Sequence, residues 1–224
     1  MLSDCFNRLN SEDYTEFIFR DNYFSKKTLE EVSDYCVTYL NSKWSIISVR
    51  NDLVGDPVYG RFSYAVLPGI YGLSDLGAVG AADVIKVREQ PVLNLKGYGT
   101  CVAIIDSGIN WRHKAFLNAN NTTKIRALWD QDTNMVYDSV KINEALSTGA
   151  DDIPRDEIGH GTFMAGIACG SEDMDSLFSG AAPAAGLIVV KLRSAKRFLR
   201  NFYFVDEDIP AYSEADIMRG LQFV

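Results

Sequence analysis

Val102-Ala-Ile-Ile-Asp106-Ser-Gly108 and Ile158-Gly-His160-Gly-Thr162 are the two stretches on which the reading of this chain turns. The first is an apolar run closing on a carboxylate, the pattern of a buried strand with an acid at its carboxyl end. The second sets a histidine between glycines, with the apolar Phe163-Met-Ala-Gly-Ile-Ala168 behind it as a helical stretch. Taken singly, Asp106 reads as a turn-capping aspartate and His160 as a structural imidazole. Taken together, an acid that orients an imidazole and an imidazole that acts as general base are two members of an acid–base–nucleophile set. Seventeen serines are scattered through the chain, and none stands in the Gly-Thr-Ser-x-Ala setting expected of the nucleophile.

Outward from these stretches, the chain separates into regions by pattern. Residues 1–67 are expected to form a small unit of mixed strands and helix. Glu16-Phe-Ile-Phe19 reads as a strand, and Thr28-Leu-Glu-Glu31 as a capping box that opens a helix. Leu29, Val32, Cys36, Val37 and Leu40 recur at spacings of three and four and predict one apolar face of that helix. Trp44-Ser-Ile-Ile-Ser-Val49 and Arg61-Phe-Ser-Tyr-Ala-Val-Leu67 complete the unit as two further strands. Residues 68–99, rich in glycine, read as the lead-in to a second domain spanning 68–224.

From Thr100 onward, strand and helix alternate. Cys101–Ile105 is expected to be a strand covered on both faces, Phe163–Cys169 a helix and Leu187-Ile-Val-Val190 another buried strand. Ser213–Val224 is expected to be an amphipathic helix with Ser213 as its N-cap. Such alternation predicts right-handed crossovers and a parallel sheet with flanking helices. Asp106 then falls at the carboxyl edge of the sheet, where ligands and catalytic groups collect in open α/β folds.

Val102-Ala-Ile-Ile-Asp106-Ser-Gly-Ile-Asn-Trp-Arg-His113 and Gly159-His160-Gly-Thr-Phe-Met-Ala-Gly-Ile-Ala168 resemble the aspartate and histidine signatures of the subtilisin-like serine proteases. Phe178-Ser-Gly180-Ala-Ala-Pro183 and the strand after it resemble that family's Gly-x-Ala-Pro turn, and the order of acid before histidine agrees. Within the family, Trp129-Asp130-Gln131, the long insertion before His160 and the Lys191–Phe204 stretch resemble the clostridial germination-protease-type group.

The resemblance implies a partial subtilisin-like α/β fold behind a propeptide-like unit. It also implies peptide-bond hydrolysis with a protein or peptide as substrate. Asp106 would hold the imidazole in one tautomer, and His160 would take and return the serine proton. His113 matches a second histidine of the family and is expected to be structural. The serines after His160 (Ser171, Ser176, Ser179, Ser194 and Ser213) lack the flanking pattern of the nucleophile. The chain is accordingly expected to be truncated ahead of its serine, inactive by itself and disposed to associate with the missing carboxyl-terminal part.

Composition narrows the rest. A formal net charge of −8 excludes nucleic acid as a general partner, and no apolar run is long enough to span a bilayer. Cys5, Cys36, Cys101 and Cys169 stand far apart with no C-x-x-C pair, a pattern read as reduced thiols in a cytoplasmic protein. No cofactor is expected, and structural calcium is left open because its ligands cluster in space rather than in sequence.

Three rival readings stand beside the protease. Ile105-Asp106-Ser107-Gly108 fits an aspartic protease but has no second copy to pair with. Asp106, His113 and His160 are acceptable ligands for a single metal but have no supporting cluster. A non-catalytic pseudoprotease or inhibitor-like binding module would keep the fold without the serine. The basic run from Lys191 to Arg200 is expected to be a solvated face.

Overall fold

The computed structural model describes residues 7–20, 34–55, 62, 64–71, 95–172 and 179–224. The chain packs into two compact units. One combines residues 1–73 with 194–223, and the other holds residues 74–193. Packing therefore groups Ser194–Phe223 with the start of the chain, whereas the sequence pattern placed the whole of 68–224 together. The apolar faces of residues 194–223 find their partners in the N-terminal strands, a pairing that no local pattern encodes.

The first unit is built on an antiparallel sheet of β1 (Tyr14–Arg20), β2 (Tyr35–Tyr39) and β3 (Trp44–Arg50), with β3 in the middle. The register runs from Tyr14 opposite Arg50 to Arg20 opposite Trp44, and from Tyr35 opposite Val49 to Tyr39 opposite Ser45. Both expected strands on either side, Glu16–Phe19 and Trp44–Val49, are therefore present.

The expected helix is not present over Cys36, Val37 and Leu40, while its start at Thr28–Glu31, with Leu29 and Val32, lies outside the described residues. Tyr35-Cys-Val-Thr-Tyr39 is aromatic and β-branched and adds to β3. Asn41 closes the hairpin, its side-chain oxygen accepting from the backbone of Lys43 and Trp44 at 2.8 and 3.0 Å. The strand expected over Arg61–Leu67 is not present at Tyr64–Val66, which forms a 3₁₀ turn, while Arg61 and Ser63 lie outside the described residues. Its apolar pattern serves packing instead, with the Phe62 ring stacked on Phe17 at 4.2 Å between centroids.

Both faces of this sheet are covered. Phe17, Phe19, Ile47 and Val49 cluster with Phe62, Leu67 and Leu199, and Ile18 and Ile46 with Leu40 and Ala215. A two-residue strand β4 (Ile70–Tyr71) pairs antiparallel with β9 (Tyr212–Ser213), which leads into helix α4 (Glu214–Phe223). As expected, Ser213 caps that helix, its hydroxyl oxygen accepting from Ala215 N–H at 3.3 Å.

The basic run does not form a solvated face. Arg193, Lys196 and Arg200 are all buried. Within helix α3 (Arg197–Phe202), the Arg200 guanidinium donates to the carbonyls of Ala195, Asp206 and Ile209 and to the Ser194 hydroxyl. Cys36 is disulfide-bonded, which corrects the expectation of four reduced cysteines, while Cys101 and Cys169 are free thiols.

The second unit is a four-stranded sheet in the order β5 (Cys101–Asp106), β8 (Gly186–Lys191), β6 (Ile125–Asp130), β7 (Met135–Asp138). β5, β8 and β6 run parallel, and β7 returns antiparallel to β6. β5 has β8 as its only described neighbour and is half-buried rather than covered on both faces. Helices α1 (Ser139–Thr148) and α2 (His160–Cys169) belong to this unit, and Asp138 caps the first by accepting from Lys141 N–H at 2.8 Å.

Trp111, Phe116, Ile125, Ile142 and Leu187 are wholly excluded from solvent in its core. The Gly-x-Ala-Pro turn packs against the end of α2, where Ala181 and Ala182 donate to the carbonyls of Ile167 and Ala168, each at 2.8 Å. A Cβ at Gly180 would stand 2.4 Å from the Gly170 nitrogen, so only glycine fits this approach. Buried Lys124 clamps the same corner, its ammonium donating to the carbonyls of Cys169 and Pro183.

Candidate active site

β5 ends on Asp106 and α2 begins on His160, and the fold brings the two side chains together. The imidazole Nδ1 lies 2.9 Å from Asp106 Oδ1 and 3.0 Å from Oδ2. A carboxylate can only accept, so Nδ1 carries the proton in this contact and Nε2 becomes the basic atom of the ring. Asp106 Oδ1 also accepts from the Ser107 N–H at 2.7 Å. The side chains of His160 and Asp106 retain 19% and 14% of their exposure, so the pair is sheltered without being sealed from water. Such a pair can hold a proton at Nδ1 and accept another at Nε2 from an incoming hydroxyl.

Backbone close approach explains the glycines of both motifs. Gly108, at φ 128°, turns the chain away from β5 in a conformation that disfavours larger residues. A Cβ on Gly161 would stand 2.2 Å from the Gly108 carbonyl oxygen and 3.1 Å from Asp106 Cβ. The start of α2 therefore rests directly on the turn after β5, and any side chain at 161 would push His160 away from Asp106. Gly159, at φ 89°, is the N-cap position of α2.

Sequence reading missed Asp156. Its Oδ1 accepts from the Ser107 hydroxyl at 2.8 Å and from the N–H groups of Gly159 and Ile158 at 2.8 and 3.2 Å. Its Oδ2 accepts from the Thr162 N–H at 2.8 Å and the Thr162 hydroxyl at 2.7 Å. Burial alone would raise its carboxyl, but the hydrogen bonds from Thr162, Gly159 and Ser107 outweigh that and hold it below the usual aspartate value. The signal in the sequence was an aspartate three residues ahead of the Gly-His-Gly turn, the spacing of an Asx-type turn.

Lys191 was also missed as part of this edge. The register sets it level with Asp106 on one side and Asp130 on the other, so three parallel strands end in Asp–Lys–Asp. Its ammonium pairs with Asp132 at 2.8 Å and Asp130 at 3.4 Å. Burial would lower its pKa, but the two carboxylates raise it above the ordinary lysine value.

His113 stands apart from this arrangement in role: its Nδ1 accepts from Ala115 N–H at 3.2 Å and caps the 3₁₀ turn Lys114–Phe116. Ser107, Ser194 and Ser213 are engaged in the structural hydrogen bonds already described, and Ser176 lies outside the described residues. Among the described residues, no three of His, Cys, Asp and Glu converge as a metal site, and no helix is long and apolar enough to cross a membrane.

A parallel sheet that places an Asp–His pair at its carboxyl edge, with the histidine opening a helix, defines a class of hydrolase-like α/β fold. Residues 97–203, just under half of the chain, match the subtilase family. Bacillopeptidase F of Bacillus subtilis (strain 168) is 32% identical over 109 residues, which cover 49% of this chain and 7% of that protein. The solved structure of the Clostridium perfringens CspB protease is 32% identical with a TM-score of 0.51, covering 64% of this chain and 29% of that one. The chain thus spans 7% and 29% of the lengths of these two relatives. Both are consistent with the subtilisin-like fold read from the motifs, and the second is a clostridial protease.

Proposed function

We propose that this chain carries the acid and base of a serine-type endopeptidase of the subtilase family, acting on protein or peptide substrates. Asp106 holds the Nδ1–H tautomer of His160 and stabilises the imidazolium that forms when Nε2 accepts the serine proton. The same Nε2 then returns that proton to the leaving amine. The observation that carries this reading is the contact of one ring nitrogen with both oxygens of Asp106, at 2.9 and 3.0 Å. The family match over residues 97–203 supports it independently of the geometry. Among the described residues, Ser107, Ser194 and Ser213 are held in structural hydrogen bonds and none of these bonds is to His160.

A fluorophosphonate probe tests the proposal, because it reacts only with a serine activated by its general base. The protein isolated from its source is expected to label at one serine. His160→Ala is expected to abolish labelling, and Asp106→Asn to lower peptidase kcat by about 10⁴-fold, the cost of losing the correct imidazole tautomer. Labelling unaffected by His160→Ala, or no labelling of the native protein at all, would overturn the assignment. A labelled serine within the isolated 224 residues would place the nucleophile in this stretch of chain.

A further inference from the structure

We infer that Asp156 is the positioning residue of the Asp106–His160 pair, clamping the turn that carries the acid to the helix start that carries the imidazole. The inference rests on the reading of Asp106 and His160 as acid and base, and it assigns the geometry of that pair to a third carboxylate.

Two hydrogen-bond chains converge on Asp156. In the first, the Gly161 N–H donates to the Ser107 hydroxyl oxygen at 3.0 Å, and that hydroxyl donates to Asp156 Oδ1 at 2.8 Å. In the second, the Asn110 N–H donates to the Thr162 hydroxyl oxygen at 2.8 Å, and that hydroxyl donates to Asp156 Oδ2 at 2.7 Å. Ser107 follows Asp106 directly and Gly161 follows His160 directly. Each chain therefore crosses from one motif to the other, and both stop at the same carboxylate.

An ordinary helix cap satisfies N–H groups of its own helix and nothing more. Asp156 accepts from Gly159, Ile158 and Thr162 in that manner, but it also accepts from Ser107, 49 residues away on the far side of the contact. Five donors on two oxygens require an ionised, acceptor-only group, and its place ahead of the first turn of α2 favours that charge.

The contact it governs has no slack. With 2.2 Å between the place of a Gly161 Cβ and the Gly108 carbonyl oxygen, small shifts of the helix start pass directly to the turn after β5. Nδ1 is nearly equidistant from the two Asp106 oxygens, and a slip of the helix would favour one and release the other.

The test uses the ¹⁵N-labelled 224-residue chain, which contains two histidines, His113 and His160, so that His113 serves as internal reference. Ring ¹⁵N shifts and the Nδ1–H proton resonance are recorded for the parent, Asp156→Ala and Asp156→Asn, at a temperature where circular dichroism shows each folded. The parent is expected to show a single His160 tautomer with a slowly exchanging Nδ1–H.

Asp156→Ala is expected to lose that resonance and average the two tautomers while the His113 signals stay unchanged. Asp156→Asn, which keeps one accepting oxygen and the side-chain shape, is expected to fall between them and decides the matter if the alanine variant does not fold. A lower melting temperature with His160 ring signals identical to the parent in both variants would overturn the inference and leave Asp156 a simple cap. That result would leave the catalytic reading intact. Conversely, absence of fluorophosphonate labelling in the native protein, with His160 signals that respond to Asp156, would sink the catalytic reading alone.

Discussion

The two units place their main charge clusters differently. In the first, Glu16 points from the middle of β1 into the protein with about 1% of its side chain exposed, and its Oε1 meets Lys196 Nζ at 3.0 Å and Arg219 Nη1 at 3.9 Å. Arg219 is held in turn by Asp216 at 2.6 Å, and Lys196 also donates to the Tyr14 carbonyl at 2.9 Å. These partners come from residues more than 170 positions later in the chain. In the second unit, the sheet interior is apolar, and Asp106, Lys191, Asp130 and His160 gather at its carboxyl edge. Buried charges of the first kind cost desolvation and contribute chiefly to which segment pairs with which. Of the second kind, His160, Asp106 and Lys191 keep part of their exposure to water, while Asp130 is buried beside Lys191. The same residue types thus serve segment pairing within one unit and, in the proposed reading, acid–base chemistry in the other.

Removing one charge should expose that contrast most strongly. Glu16→Ala leaves Lys196 and Arg219 without their shared carboxylate in a dry setting, and is expected to destabilise the chain by about 3–5 kcal/mol in urea unfolding. A loss below about 1 kcal/mol, the range of exposed pairs, would place the cluster with surface ion pairs and break the comparison. Gly161→Ala strikes the second unit where backbone, not charge, makes the contact. Overpacking against the Gly108 carbonyl is expected to cost about 1–3 kcal/mol and to abolish the His160 Nδ1–H resonance. An alanine variant with parent stability and an intact resonance would show that the helix start tolerates displacement.

The smallest effect concerns acid. Because hydrogen bonds hold the Asp156 carboxyl below its ordinary value, its contribution to stability is complete above about pH 4. That contribution is lost as the pH falls through the lower folded value. The urea midpoint of the parent is expected to drop on acidification below pH 4, and to drop less in Asp156→Asn. Parallel acid limbs for the two proteins would remove Asp156 from the account.

Legibility in the sequence followed the range of the forces involved. The strands at Glu16–Phe19, Trp44–Val49 and Leu187–Val190 are readable because apolar runs report burial locally, whereas the apolar run Cys101–Ile105 marks a strand that is only partly buried. The helix placed over Cys36–Leu40 was misread because a spacing of three and four also arises in a hairpin strand, and only pairing with β3 decides between them. Lys196 and Arg200 looked solvated because charge in a run says nothing of distant carboxylates and carbonyls that can accept it.

By itself, the sequence determined the identity of the pair and its setting. Asp106 after an apolar strand and His160 between glycines are dictated by strand burial and by the need for backbone to approach closely. Tertiary structure alone decided that residues 194–223 pack with the N-terminal sheet and that Asp156 joins the two motifs. Both depend on hydrogen bonds and ion pairs between residues far apart in the chain, whose geometry exists only after the strands have paired.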